Sequence, residues 1–141
     1  MVKTIPYLKV KNANKSINFY KKLFNAELID HVPYSEEVGK EFGLPSDFDY
    51  ENSTMHSVLH ILGAPIYMAD EVLEPLENAK GKVEILLDLD NKEQIEEIYQ
   101  KAKELGCSIT MELEQMFWGA HFASFEDPDG IKWQLHFQAE N

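Results

Sequence analysis

Gly130-Ile131-Lys132-Trp133-Gln134-Leu135, introduced by the turn signal Asp127-Pro128-Asp129, has a counterpart half a chain earlier in Gly63-Ala64-Pro65-Ile66-Tyr67-Met68. In each copy the glycine opens a run that alternates between apolar and polar residues, the pattern of a strand leaving a tight turn. Outward from the first copy, Thr54 to Leu62 and Ala64 to Ala69 are apolar runs that meet at Gly63. Outward from the second, Phe117 to Phe125 and Ile131 to Gln138 flank the Asp-Pro-Asp-Gly turn. Each hairpin is preceded by a similar series. Thr4 to Val10 reads as a strand, and Asn12-Ala13-Asn14 suits a helix start. Ile17, Phe19, Tyr20, Leu23 and Phe24 then recur at helical spacing, Asn25 closes the helix, and Ala26 to Tyr34 reads as a strand. The second series has a strand from Val83 to Leu89 and a helix over Asn91 to Leu105, with Ile95, Ile98, Ala102 and Leu105 on one face. Gly106 is its stop, and a short strand follows from Cys107 to Leu113.

The order β, α, β, β, β therefore occurs twice, which predicts an α+β protein of two pseudo-symmetric modules. Module one covers about residues 1–70 and module two about residues 82–138, within one domain over residues 1–141. Ser35 to Asn52, with Gly39, Gly43, Pro45 and scattered Phe42, Phe48 and Tyr50, reads as a long loop able to act as a lid. Glu71 to Lys82 reads as an acidic connection.

A length of 141 residues with 44% hydrophobic content suffices for one compact core but not for two independent domains. The net charge of -12 repels phosphate backbones and anionic headgroups, which excludes nucleic acid and membrane surfaces as natural partners. No stretch of about 18 apolar residues exists to span a bilayer, and MVKTIPYLKV lacks the regions of a signal peptide, so a cytosolic protein is expected. The single cysteine, Cys107, reads as a buried thiol.

Five histidines, His31, His56, His60, His121 and His136, raise acid-base or metal chemistry. Strand alternation puts His56 and His60 on one face, and His136 with Lys132 and Gln134, opposite Trp133, Leu135 and Phe137. Tyr7 and Tyr67 offer phenol hydroxyls, and Phe117-Trp118-Gly119 offers an apolar floor where a ligand could stack. Acidic runs such as Glu36-Glu37 and Glu71 to Glu77 read as solvated faces, since a general acid or base needs a secluded site. Neither Gly-x-Ser-x-Gly nor Gly-Lys-Ser/Thr is present, which removes the nucleophile-elbow hydrolase and nucleotide-kinase readings.

Taken together, Pro6-Tyr7-Leu8, Phe19-Tyr20-Lys21, Met55-His56, Phe117-Trp118-Gly119-Ala120 and Asp127-Pro128-Asp129-Gly130-Ile131-Lys132-Trp133 resemble the glyoxalase, bleomycin-resistance and extradiol-dioxygenase (vicinal-oxygen-chelate) superfamily, and within it the PhnB-like branch. The resemblance implies curved mixed sheets around a cavity, a homodimer, and a small organic molecule as partner. It also implies a ligand pocket drawing on Tyr7, His56, Tyr67, Glu84, Trp118 and Gln134. Domains of this branch are often labelled 3-demethylubiquinone-9 3-methyltransferase, but this chain has no Gly-rich strand-to-helix turn to hold a nucleotide-like cofactor.

In metal-using relatives the ligands would fall near Ile5, near Glu84 and at Gln134, with Tyr67 the matching place in module one. Ile5 cannot ligate, and a divalent site usually takes three or more protein ligands, so no cofactor is favoured. Catalytic residues are left unassigned. The leading expectation is a binding or sequestering protein. The alternative is a divalent-metal-dependent isomerase, lyase or transferase acting on a small oxygenated metabolite, its ion held by Glu84, Gln134 and His56. A third is a vestigial pocket with function carried by the dimer surface.

Overall fold

The computed structural model describes residues 4–72 and 83–139. The chain divides into two compact units, Met1–Glu77 and Asn78–Asn141. The first contains β1 (Tyr7–Val10), α1 (Ala13–Phe24), β2 (Glu27–Val32), α2 (Glu36–Phe42), β3 (His56–Ile61) and β4 (Ala64–Asp70). The second contains β5 (Ile85–Asp88), α3 (Lys92–Glu104), β6 (Ser108–Gln115), β7 (His121–Glu126) and β8 (Lys132–Phe137). The strand orders are β1-β4-β3-β2 and β5-β8-β7-β6, the same topology twice, and both sheets are mixed and curved without closing. In each, the first and last strands of the unit run parallel, and the other pairs are antiparallel. The expected α+β duplication is the observed fold. The acidic connection read over Glu71 to Lys82 lies outside the described residues from position 73 to 82.

Side-chain period explains why each sheet has one covered face. In unit one, α1 presents Ala13, Ile17, Tyr20, Leu23 and Phe24 to β1 and β4, whose inward residues include Leu8, Val10, Ile66 and Met68. Burying each large side chain contributes about 1.5–3 kcal/mol, which fixes the register, since a one-residue slip would turn every apolar residue outward. Asn12 caps α1 by accepting the Lys15 N–H at 3.1 Å, and Asn25 ends it in the left-handed conformation at φ 54°. Asp70 at the end of β4 accepts the Ala13 N–H at 2.6 Å and the Thr54 N–H at 2.8 Å. One carboxylate thus joins the start of the helix to the approach to β3. In unit two, α3 buries Ile95, Ile98, Tyr99 and Ala102 beside β6, β7 and β8, where Trp133 and Leu135 are fully buried.

The stretch expected as a long loop holds a helix, α2. Ser35 caps it by accepting the Val38 N–H at 3.3 Å, Glu36 and Glu37 complement its N-terminus, and Gly43 ends it at φ 72°. Tyr34 meets Phe42 and Phe48 edge-on, and Phe48 meets Tyr50, so the segment packs around its own aromatic rings. Gly39 allows this, because a Cβ there would run into the Tyr50 ring and hydroxyl. Gly39→Ala is expected to destabilise the protein by about 1–3 kcal/mol through this overpacking. A lower urea midpoint with an unchanged slope is the readout.

Phe117 to Gly119, expected at the entry of a long strand, instead forms a turn. Met116 N–H donates to Ala120 O at 2.7 Å, Gly119 N–H donates to Met116 O at 2.9 Å, and Gly119 takes φ 95°. The strand begins only at His121. Its partner β6 runs on to Gln115, past the expected end at Leu113.

Candidate functional site

Strand alternation leaves the second face of each sheet to side chains of another kind. On unit one the register sets Tyr7 beside Tyr67, Tyr67 beside Val58, and Val58 beside Asp30. One step along the strands, Lys9 stands beside Ala69, and His56 beside Val32. Tyr7 and His56 are joined by a hydrogen bond of 3.0 Å between the phenol oxygen and Nδ1. Tyr67 stands edge-on to both, with ring centroids 5.8 Å from Tyr7 and 5.0 Å from His56. Lys9 Nζ lies 5.2 Å from the centroid of the Tyr7 ring, close enough for a cation–π contact. Partial burial pushes the Tyr7 phenol above its ordinary pKa, so it stays a neutral O–H across the physiological range. Tyr7 is nonetheless 45% exposed, and the cluster is open to a ligand.

Three of the residues expected at a pocket, Tyr7, His56 and Tyr67, are therefore together. Glu84, Trp118 and Gln134 belong to the second unit. Gln134 is half-buried on β8, beside Leu86 on β5 and Ser124 on β7. Glu84 is exposed just ahead of β5. Trp118 is 55% exposed in the β6–β7 turn, edge-on to Phe117 at 4.7 Å, and its carbonyl accepts the Gln138 side-chain N–H at 3.3 Å.

Sequence reasoning missed several neighbours. Ser124 and Thr110 share a hydrogen bond of 2.6 Å near Gln134, and Asp88 meets His136 at 2.9 Å across β5 and β8. Leu86 occupies in unit two the place that Tyr7 holds in unit one. The pseudo-repeat was the available signal for Leu86, whereas Ser124 and Thr110 needed the cross-strand register. Tyr34, buried just beyond β2, was read only as a strand end. Its phenol is pushed above the ordinary value by burial, then by the charge of Asp70 and the proximity of Tyr7, so it belongs to the same electrostatic neighbourhood.

His31 and His121 contact neighbouring elements of their own units. His31 Nε2 is within hydrogen-bond distance of Asn14 Oδ1 and Thr54 Oγ1, at 3.1 and 2.8 Å, joining β2 to α1 and to the β3 approach. His121 stacks on Phe137 at 5.9 Å. Cys107 is buried, and desolvation followed by the charge of Asp127 raises its thiol to about 11. At pH 8 about one thiol in a thousand would then be ionised. Cys107 should resist disulfide exchange with Ellman's reagent in the native protein and react at once in denaturing urea. Because the shift is upward for an acid, the folded state holds this proton more tightly, and stability is expected to fall as pH rises from 9 towards 11.

The positions that would carry a divalent ion supply an alkyl group at Ile5 and oxygens at Glu84 and Gln134. Among the described residues no group of three or more His, Cys, Asp or Glu side chains could hold a metal ion. His56 Nδ1 is engaged by Tyr7. With Ile5 unable to ligate, the positions matched to metal-using relatives supply two oxygen donors, fewer than the three or more protein ligands that a divalent site ordinarily takes. Among the described residues no helix is long and apolar enough to cross a membrane.

A family model for the Glyoxalase/Bleomycin resistance protein/Dioxygenase superfamily matches residues 5–135. The fold is similar to that of the protein PA1353 from Pseudomonas aeruginosa, with a TM-score of 0.77 and 25% identity over 99% of this chain and 100% of that one. It is also similar to the PhnB protein of Bacillus cereus, which bears the name 3-demethylubiquinone-9 3-methyltransferase: TM-score 0.73, 19% identity, 96% and 99% of the two chains. The fosfomycin resistance protein FosX of Listeria monocytogenes, in complex with Mn(II) and a sulfate ion, gives a TM-score of 0.68 and 23% identity over 99% and 95%.

Proposed function

Because this chain belongs to the glyoxalase/bleomycin resistance protein/dioxygenase superfamily, we propose that it binds a small organic molecule at the face of unit one lined by Tyr7, His56 and Tyr67, and does so without a metal ion. In this reading the protein works as a cytosolic homodimer that sequesters its ligand.

The observation that carries the reading is the Tyr7–His56–Tyr67 cluster. A sheet face turned to bulk water is normally dressed with charged and small polar side chains, whereas this one presents ring surfaces and two kinds of hydrogen-bonding heteroatom. Recognition of a drug-sized molecule needs that combination, an apolar wall with a few fixed polar groups. The resemblance matches the ligand positions of metal-using relatives to Ile5, Glu84 and Gln134, and Ile5 cannot ligate, so this reading draws its affinity from rings and hydrogen bonds. The name borne by the Bacillus cereus relative is not carried over, since methyl transfer requires a methyl-donor site and this sequence has no Gly-rich turn to build one.

The test is a thermal-shift screen of metal-free protein against oxygenated aromatic compounds. A compound that binds the native state must raise the melting temperature, by the equivalent of about 2.7 kcal/mol at a hundred times its Kd. Hits that stabilise wild type but not His56→Ala support the reading. Hits that stabilise both equally place the pocket elsewhere.

A further inference from the structure

We infer that His56 presents Nε2–H as a fixed hydrogen-bond donor, so that the ligand is a molecule with an acceptor oxygen, a carbonyl or a single carboxylate, on an aromatic or apolar body. This rests on the binding face proposed above and specifies what it takes.

The geometry begins with the contact of 3.0 Å between the Tyr7 hydroxyl and His56 Nδ1. Tyr7 lies on β1 and His56 on β3, so the bond spans the intervening β4, where the small side chain of Ala69 beside Lys9 leaves room. A phenol is a stronger donor than acceptor, because its oxygen lone pair is shared with the ring. Nδ1 is the hydrogen-bond partner of the Tyr7 hydroxyl among the described residues. The phenol proton therefore points at Nδ1, and a neutral imidazole must carry its own proton on Nε2. If the ring takes a second proton, Nδ1–H donates to the phenol oxygen and Nε2–H is unchanged. In both charge states the free edge of His56 donates and cannot accept. An ammonium or amide N–H placed there would meet another donor, and a buried donor without an acceptor is penalised.

Charges of both signs surround the pair. Lys9 Nζ is 5.2 Å from the Tyr7 ring centroid, which puts a cation beside the pair. The carboxylates of this face, Asp30 beside Val58 and Glu27 beside His60, lie on β2, three strands from Lys9 and one from His56. An acceptor would gain from Lys9 on the Tyr7 side of the pair. The net charge of -12 opposes polyanions at longer range, which selects a neutral carbonyl or a single carboxylate over a multiply charged phosphate. Tyr67, edge-on to both rings, supplies the wall against which an aromatic body would lie.

Benzoate and benzylamine separate the possibilities, since they share a ring and differ in offering only acceptors or only donors at neutral pH. Imidazole nitrogen NMR of the labelled full chain at pH 8 should show His56 protonated on Nε2. Benzoate should move that resonance to saturation while benzylamine leaves it in place. Tyr7→Phe, which removes the proton that fixes the tautomer, should give a mixture of His56 tautomers and weaken benzoate about five- to tenfold. A wild-type His56 protonated on Nδ1 would overturn the inference without any variant. So would benzylamine acting at Tyr7, His56 and Tyr67 where benzoate does not, an outcome that leaves the binding face intact. Silence of all three residues to both probes would overturn the binding face itself, and the inference with it.

Discussion

Asp127→Ala should lower folding stability by about 3–5 kcal/mol, a large share of what holds a domain of this size together. Asp127 is 4% exposed, at the turn between β7 and β8. One carboxylate oxygen accepts the Asp129 and Ile131 N–H groups at 2.9 and 3.0 Å, and the other accepts the indole N–H of fully buried Trp133 at 2.9 Å. Alanine leaves three donors without this acceptor where water has little access, and the unmade bond costs more than the made one contributes. Asparagine keeps one acceptor for the backbone but turns an amide N–H towards the indole N–H, so Asp127→Asn should also be severely destabilised. Trp133→Phe removes the indole donor and should recover part of that loss. Urea unfolding of the two singles and the double gives the coupling directly, and simple additivity would show that the indole bond matters little.

That interaction also shows what the sequence could reveal. Asp-Pro-Asp-Gly is legible as a turn from its residue types, and Trp133 as a core residue from strand alternation. The reach of Asp127 into the core is not legible, because it depends on the path of the turn. The same division holds elsewhere. α1 and α3 carry long apolar periods behind asparagine N-caps, and both were expected. α2 has only Val38 and Phe42 as apolar residues, with Gly39 between them, so propensity argues against it. Ser35, Glu36-Glu37 and Gly43 were the signals of a capped helix. Phe117-Trp118-Gly119 has the composition of a strand, yet Gly119 at φ 95° ends the hairpin turn.

For the site, Tyr7, His56 and Tyr67 were expected from the resemblance and from the chemistry of their side chains. Their contact depends on which strands are neighbours, an order set by the sheet and not by any one segment. Thr110, which meets Ser124 beside Gln134, was hidden because β6 meets β7 with two register shifts, between Ile109 and Met111 and between Met111 and Glu114.

The second large effect is on binding. For a compound that stabilises the metal-free protein, His56→Ala is expected to weaken binding by about 2 kcal/mol, roughly thirtyfold, combining a lost hydrogen bond with a lost ring contact. Folding stability should change by less than about 1 kcal/mol, because His56 is half-buried on the open side of the sheet and its bond to Tyr7 lies at an exposed edge. The separation of the two effects is the point of the experiment. A variant that lost binding and stability together would indicate that His56 supports the sheet, whereas intact binding would remove it from the site.

The most direct measurement is a calorimetric titration of such a compound into protein stripped with EDTA, repeated after addition of Mn²⁺ and with Glu84→Ala. Metal-free capture by the Tyr7–His56–Tyr67 face predicts the same affinity in all three. Binding that appears only with Mn²⁺, and disappears again in Glu84→Ala, would contradict it and assign the site to metal-bridged recognition.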